Sequence, residues 1–132
     1  MLIDTHCHLY FEDFDIDRDD VIKRAGEAGV KVIINVASSL ESCEKSLELA
    51  KKYDGVFASL GVHPHDADKV DEGVISKIRH MARDEKVVAI GEVGLDYYKE
   101  KSHRNIQKSI FRRFISLSAE LGLSFIIHNR EA

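Results

Sequence analysis

Only one of the 132 residues is proline, two are cysteine and none is tryptophan. Cys7 and Cys43 make no CxxC pair, and two cysteines cannot frame a chain of this size with disulfides. Reduced thiols in a cytoplasmic protein are the expectation. The first residues, Met1-Leu2-Ile3-Asp4-Thr5-His6, hold neither a basic segment nor a long apolar run, so no secretory signal is read there. No apolar run approaches the roughly 20 residues of a membrane span. An excess of positive charge is also missing. The net charge of -4 argues against a passive nucleic-acid-binding module, whose affinity comes from Lys/Arg–phosphate contacts. It leaves room for an enzyme that meets phosphates through a metal. There is no low-complexity stretch or linker, so residues 1–132 read as one unit.

What is present is an alternation of buried strands and amphipathic helices. Leu2-Ile3-Asp4 opens a short strand that ends at His6. Residues 15–28 read as a helix with Val21, Ile22, Ala25 and Ala28 on one face and Gly29 after its end. Val30–Val36 is β-branched and apolar, a buried strand. Ser38 and Glu41 fit a capping box for a helix striped by Leu40, Cys43, Leu47 and Ala50. Val56–Gly61 is the third strand, with Pro64 in the loop after it. A helix over 72–84 and a strand over 86–92 follow. The clearest helix spans 104–121, with Ile106, Ile110, Phe114, Leu117 and Leu121 in register and Gly122 capping it. Phe125–His128 is the fifth strand.

Such alternation means parallel strands joined by crossovers. An open doubly wound sheet and the first part of a (β/α)8 barrel both fit. A full barrel needs about 250 residues. The sequence runs four residues past His128 with no covering helix. The expected fold is therefore α/β, a parallel TIM-like barrel truncated after about its fifth strand, with residues 1–132 as its N-terminal portion.

The histidines mark the chemistry. His6 and His8 follow the first strand, His63 and His65 the third, Glu92 ends the fourth and His128 ends the fifth. In a parallel α/β fold the carboxyl ends of the strands share one face, and that face holds the site. His6-Cys7-His8 puts two imidazoles on one side of a strand, roughly 6.6 Å apart along it, with Cys7 turned away as a packed thiol. An isolated HxH is usually an ordinary surface or core pair. Here later strands bring matching imidazole and acid. Glu92 follows an apolar run, where a carboxylate needs a partner. A divalent cation is a natural one, and a carboxylate can bridge two. A helix cap or a salt bridge is the plainer alternative. Gly91 and Gly94 beside it let backbone come close to a ligand. His128 offers a neutral imidazole. Arg130, two residues on, could grip a phosphate or carboxylate, or make a surface ion pair. His63 reads as a substrate contact or proton shuttle. His65 could serve the site or order its loop. His80 and His103 are assigned no chemistry.

Together these residues resemble the TatD family of metal-dependent deoxyribonucleases. The resemblance rests on Leu2–Leu9, Gly61–His65, Gly91–Tyr97 and Ile126–Ala132, four motifs in order across the chain. It implies a TIM-like barrel that hydrolyses phosphodiester bonds of DNA with two divalent ions, drawn from Zn, Mn, Mg, Co or Fe. His6 and His8 would bind one ion, Glu92 would bridge to the second, and His128 would bind the second. His63 and Arg130 would face the phosphate, and Glu92 and His63 would be the catalytic residues. Tyr10 stands where the family usually has Asn or Asp, and Ser124 where a proline commonly opens the fifth strand. The family also completes its site with a His and an Asp on later strands, which lie beyond these 132 residues.

Two other readings compete. One is an amide or ester hydrolase of the wider superfamily, although many of those carry a carboxylated Lys where Glu92 stands. The other is an inactive metal-binding fragment that self-associates through open barrel edges.

Overall fold

The computed structural model describes residues 1–132. Five strands alternate with four helices: β1 Leu2–Cys7, α1 Arg18–Glu27, β2 Val30–Val36, α2 Leu40–Lys52, β3 Val56–Leu60, α3 Glu72–Met81, β4 Val87–Asp96, α4 Arg104–Leu121 and β5 Ser124–Arg130. Short 3-10 turns lie at Glu12–Phe14 and Pro64–Lys69.

Every neighbouring pair of strands is parallel, and the sheet order is β1-β2-β3-β4-β5. A doubly wound sheet reverses its order at a switch point. This one never does, so the open-sheet alternative falls. Crossovers of one hand that all step the same way leave the helices on one face. The core lies there, where Ile33, Val56, Ala58, Leu60 and Ile90 of the sheet pack with Ile78, Ile110, Phe114 and Leu117 of the helices. The opposite face is concave. Thr5 and His6 of β1 and Phe125 and Ile126 of β5 line one cavity with Ile34 and Val88. The two edge strands therefore curl toward each other, and the fold is a half-barrel.

Four local expectations need correction. Helix α1 begins at Arg18, not at residue 15. The Arg18 guanidinium turns back to the Leu9 and Phe11 carbonyls at 2.6 and 3.0 Å, and so holds the preceding loop. The cap of α2 is Ser39, reciprocated by Ser42 rather than by Glu41. Ser38 instead meets the Tyr10 hydroxyl at 2.8 Å. In α4 the buried stripe runs from Gln107 through Ile110, Phe114 and Leu117, whereas Ile106 is 38% exposed. Finally, β4 continues four residues past Glu92 to Asp96.

That extension depends on two glycines. Gly91 and Gly94 adopt φ of 150° and 149°. A Cβ on Gly94 would lie 2.0 Å from the His128 carbonyl oxygen, and one on Gly91 would lie 2.6 Å from that of Ile126. The glycines admit the backbone of β5, not a ligand. Their bareness lets β4 and β5 pair as far as Asp96 and Arg130.

Candidate metal centre

His6 lies in β1 and His8 just after it. The His8 ring is fixed by a 2.7 Å hydrogen bond from Nδ1–H to the Val36 carbonyl. A carbonyl only accepts, so Nδ1 carries the proton and Nε2 keeps its lone pair. The loop itself is tied down by Asn35, fully buried in β2, whose Oδ1 accepts from the Leu9 amide at 2.7 Å. Cys7 faces the other way, toward the Ile34 carbonyl. Burial, then the charge of Asp4, pushes its thiol up to about 11, so it offers no thiolate near neutrality.

Glu92 joins the two sides of the cluster. Its side chain is 13% exposed, and its charged partners are imidazoles alone. Oε2 lies 3.8 Å from His6 Nε2, and Oε1 lies 3.0 Å from His128 Nδ1. Ligand atoms of His6, His8 and Glu92 fall within 4.8 Å of one another, as do those of His63, Glu92 and His128. Donors about 2.1 Å from a shared tetrahedral ion are separated by roughly 3.4 Å. The Glu92 distances bracket that spacing. A largely buried carboxylate with no Lys or Arg partner and an imidazole nitrogen beside each oxygen fits divalent cations.

His63 is different. Its Nδ1 accepts the His65 amide at 3.1 Å. That amide proton cannot leave, so a neutral His63 carries its own proton on Nε2. Burial, then the neighbouring His128 and His65, brings its pKa down to about 4. His63 is thus a neutral N–H donor, with its ring centroid 4.3 Å from that of His128. Although geometry groups it with possible ligands, its Nδ1 lone pair is taken by the His65 amide, and its Nε2 carries the proton.

Asp96 is the residue of the cluster that sequence reasoning misses. It is wholly buried at the end of β4. Oδ1 accepts the Tyr98 and Lys99 amides at 3.1 and 3.2 Å. Oδ2 meets His65 Nε2 at 2.8 Å and His128 Nε2 at 3.1 Å. Burial opposes its charge, but the Lys99 amide and the two imidazoles bring its carboxyl down to about 2. Gln107 of α4, also fully buried, clamps the backbone of Asp96 with bonds of 2.8 and 3.0 Å. The available sequence signal is strand parity: residues four apart on one strand share a face, so Asp96 follows Glu92 once β4 is long enough.

His6, His8, Glu92, His63 and His128 are thus brought together. Arg130 is not placed among them. Its guanidinium stacks over the Tyr98 ring, 3.9 Å from the ring centre. The cation that does line the cavity of His8, His63, Glu92 and His128 is Lys101. His80 and His103 are exposed, on α3 and at the start of α4, away from the strand ends.

Consecutive parallel strands thus bring imidazoles and carboxylates to one end of the sheet, the end that carries the site in (β/α) barrels. The chain belongs to the TatD related DNase family, whose pattern matches residues 3–132. It is 43% identical over its full length to the metal-dependent hydrolase YabD of Bacillus subtilis, covering 52% of that protein. Over 131 residues it is 37% identical to a protein of Cronobacter sakazakii named 3'-5' ssDNA/RNA exonuclease TatD, covering 50% of it. The crystal structure of YJJV, a TatD homolog from Escherichia coli, superposes with a TM-score of 0.90 at 32% identity, over 98% of this chain and 51% of that one. An amidohydrolase from Saccharomyces cerevisiae shares the fold at 20% identity and a TM-score of 0.84, over 98% of this chain and 48% of that one. The chain spans about half the length of the curated relatives it matches. No helix is long and apolar enough to cross a membrane.

Proposed function

We propose that residues 1–132 form the N-terminal portion of a metal-dependent phosphodiesterase that hydrolyses DNA, with ligands for two divalent ions on either side of Glu92. The observation that carries this reading is the split of one carboxylate, one oxygen toward His6 and the other toward His128. His6 and His8 would hold one ion, His128 the other, and Glu92 both. When bound, such ions supply a water of lowered pKa and positive charge opposite the phosphoryl oxygens. The residues of the chain do the rest. His8 keeps its Nε2 bare, and His128 turns Nδ1 toward Glu92. Neutral His63 donates its Nε2–H to a phosphoryl or leaving oxygen. Lys101 adds charge at the rim, and Arg130 reaches a phosphate once it leaves Tyr98. Relatives named as single-stranded DNA/RNA exonucleases support a nucleic-acid substrate. The remaining ligands would come from later strands of a longer barrel.

The test is divalent-metal-dependent release of nucleotides from single-stranded DNA. It compares this chain with a longer chain carrying the later strands, each with and without Glu92→Ala. Activity in the longer chain that disappears with Glu92→Ala is expected. A silent longer chain would sink the nuclease reading. Turnover of a cyclic amide instead would favour the amidohydrolase. The 132-residue chain alone should be inactive and, with β1 and β5 open, should self-associate on light scattering. An active, monodisperse monomer would overturn both expectations.

A further inference from the structure

The geometry points to Asp96 as a positioning residue that holds the His128 and His65 rings with their protons on Nε2, so that His128 presents a bare Nδ1 toward Glu92. The inference rests on the reading of Glu92 and His128 as ligands, which it deepens.

Each oxygen of Asp96 is already committed. Oδ1 accepts two main-chain amides, Tyr98 N and Lys99 N. Those donors cannot change sign, so this side of the group must be an acceptor. Oδ2 lies 2.8 Å from His65 Nε2 and 3.1 Å from His128 Nε2. A carboxylate that receives on both oxygens has no proton to give, so both Nε2 atoms must donate. On a neutral ring that places the lone pair at Nδ1. In His128 this is the nitrogen 3.0 Å from Glu92 Oε1, so two carboxylates compete for the single proton of the neutral ring. Asp96 is wholly buried and pinned by main-chain amides, with no water to turn to, whereas Glu92 borders the open cavity and can take its donors from solvent. Although Asp96 lies within ligand distance of His63 and His65, it is filled by N–H donors and is not itself a ligand.

The carboxylate is held rigidly. Gln107 accepts the Asp96 amide and donates to its carbonyl, and its second N–H reaches the Ser102 carbonyl at 2.7 Å. Ser102 in turn donates to the His65 carbonyl at 3.0 Å. One buried network therefore ties the end of β4, the start of α4 and the loop after β3. It fixes two imidazoles at once. Orientation of ligand rings by outer partners is worth about 10- to 100-fold in metal affinity.

Asp96→Asn reverses the instruction with almost no change of shape. Its Oδ1 must stay toward the Tyr98 and Lys99 amides, because an NH2 there would face two donors. The NH2 then points at the imidazoles and requires both Nε2 atoms to accept. Nδ1 of His128 becomes protonated toward Glu92 and is lost to a metal.

The experiment is long-range 1H–15N spectroscopy of the metal-free chain at about pH 9, well above the ordinary imidazole value, with rings assigned from His65→Gln and His128→Gln. Nε2 should be protonated in both rings of the wild type and bare in both rings of Asp96→Asn. Co2+ affinity, measured by competition with a chelator, should fall 10- to 100-fold in that variant. A wild type with bare Nε2 in either ring overturns the inference, and this needs no variant to fold. So does an Asp96→Asn chain that keeps Nε2–H and binds Co2+ within twofold of wild type. A wild type with both Nε2 atoms protonated that takes up no Co2+ supports the role of Asp96 and overturns the metal reading of Glu92 and His128.

Discussion

Glu92 and Asp96, four residues apart on β4, hold opposite nitrogens of one ring. Glu92 Oε1 stands 3.0 Å from His128 Nδ1, and Asp96 Oδ2 stands 3.1 Å from His128 Nε2. The strand pleat puts both carboxylates on one face. The ring from β5 slots between them because Gly94 opposes His128 in register. The two carboxylates differ in environment. Asp96 is sealed and filled by four N–H donors, whereas Glu92 retains access to the cavity.

Glu92→Gln separates these roles. The amide is nearly isosteric, so the fold should survive, but it removes the negative charge shared by His6 and His128. Divalent metal retention should weaken by at least about a hundredfold, the upper end of what outer partners alone contribute. Calorimetric titration with Zn2+ measures it. A loss under threefold would mean that Glu92 is a structural partner of the two imidazoles and nothing more.

Gln107→Leu tests the support behind the site. Gln107 makes three hydrogen bonds, all to main-chain groups of Asp96 and Ser102. Leucine fills much of the same volume and leaves those groups without partners. Each buried orphan costs roughly 1–3 kcal/mol, so a loss of about 3 kcal/mol in urea unfolding is expected. A loss below about 1 kcal/mol would show that water reaches the network.

How much of the molecule is legible in its sequence follows from which forces act locally. The five strands announce themselves as apolar runs, and the ends of those runs pick out His6, His8, Glu92 and His128 without any knowledge of register, although β4 and β5 themselves run on to Asp96 and Arg130. Asp96 is hidden because Gly91 and Gly94 interrupt the apolar run, and glycine in a strand reads as an ending. Gln107 is hidden by a rival residue, since Ile106 fits the stripe almost as well in sequence. Ser38 matches the capping-box pattern with Glu41, but Tyr10, from a distant loop, takes its hydroxyl and the cap passes to Ser39. The position of Arg130 depends on Tyr98 across the β4–β5 pair, a contact that no spacing rule contains.

Two glycine substitutions should act in opposite directions. A Cβ on Gly94 would sit 2.0 Å from the His128 carbonyl at a φ of 149°, so Gly94→Ala must push β5 off β4. Destabilisation beyond about 4 kcal/mol is expected, the range of exceptional substitutions. Gly26 lies in α1 at an ordinary φ, and a methyl added there would meet nothing within 4 Å. Gly26→Ala should stabilise by about 0.5–1 kcal/mol. Thermal unfolding of the two variants checks both signs, and a tolerated Gly94→Ala would refute the close β4–β5 register.

The acid limb of stability should report on His63. Its pKa falls from 6.5 to about 4 in the folded metal-free chain, chiefly by burial. The unfolded chain therefore takes up a proton as pH drops below about 6.5, while the folded chain refuses it until about 4. Stability contributed by the neutral ring is present above 6.5 and is lost progressively between those values. Asp96 acts lower, with its contribution present above 3.8 and lost as pH falls toward about 2. In chelator-treated protein, His63→Gln should flatten the decline between pH 6.5 and 4 and leave the later one in place. The glutamine can still accept the His65 amide, so the loop should stay ordered. Urea midpoints measured across this range decide the matter. Parallel declines in wild type and variant would mean that the folded chain protonates His63 as readily as the unfolded chain does, and that it is no fixed neutral donor in the site.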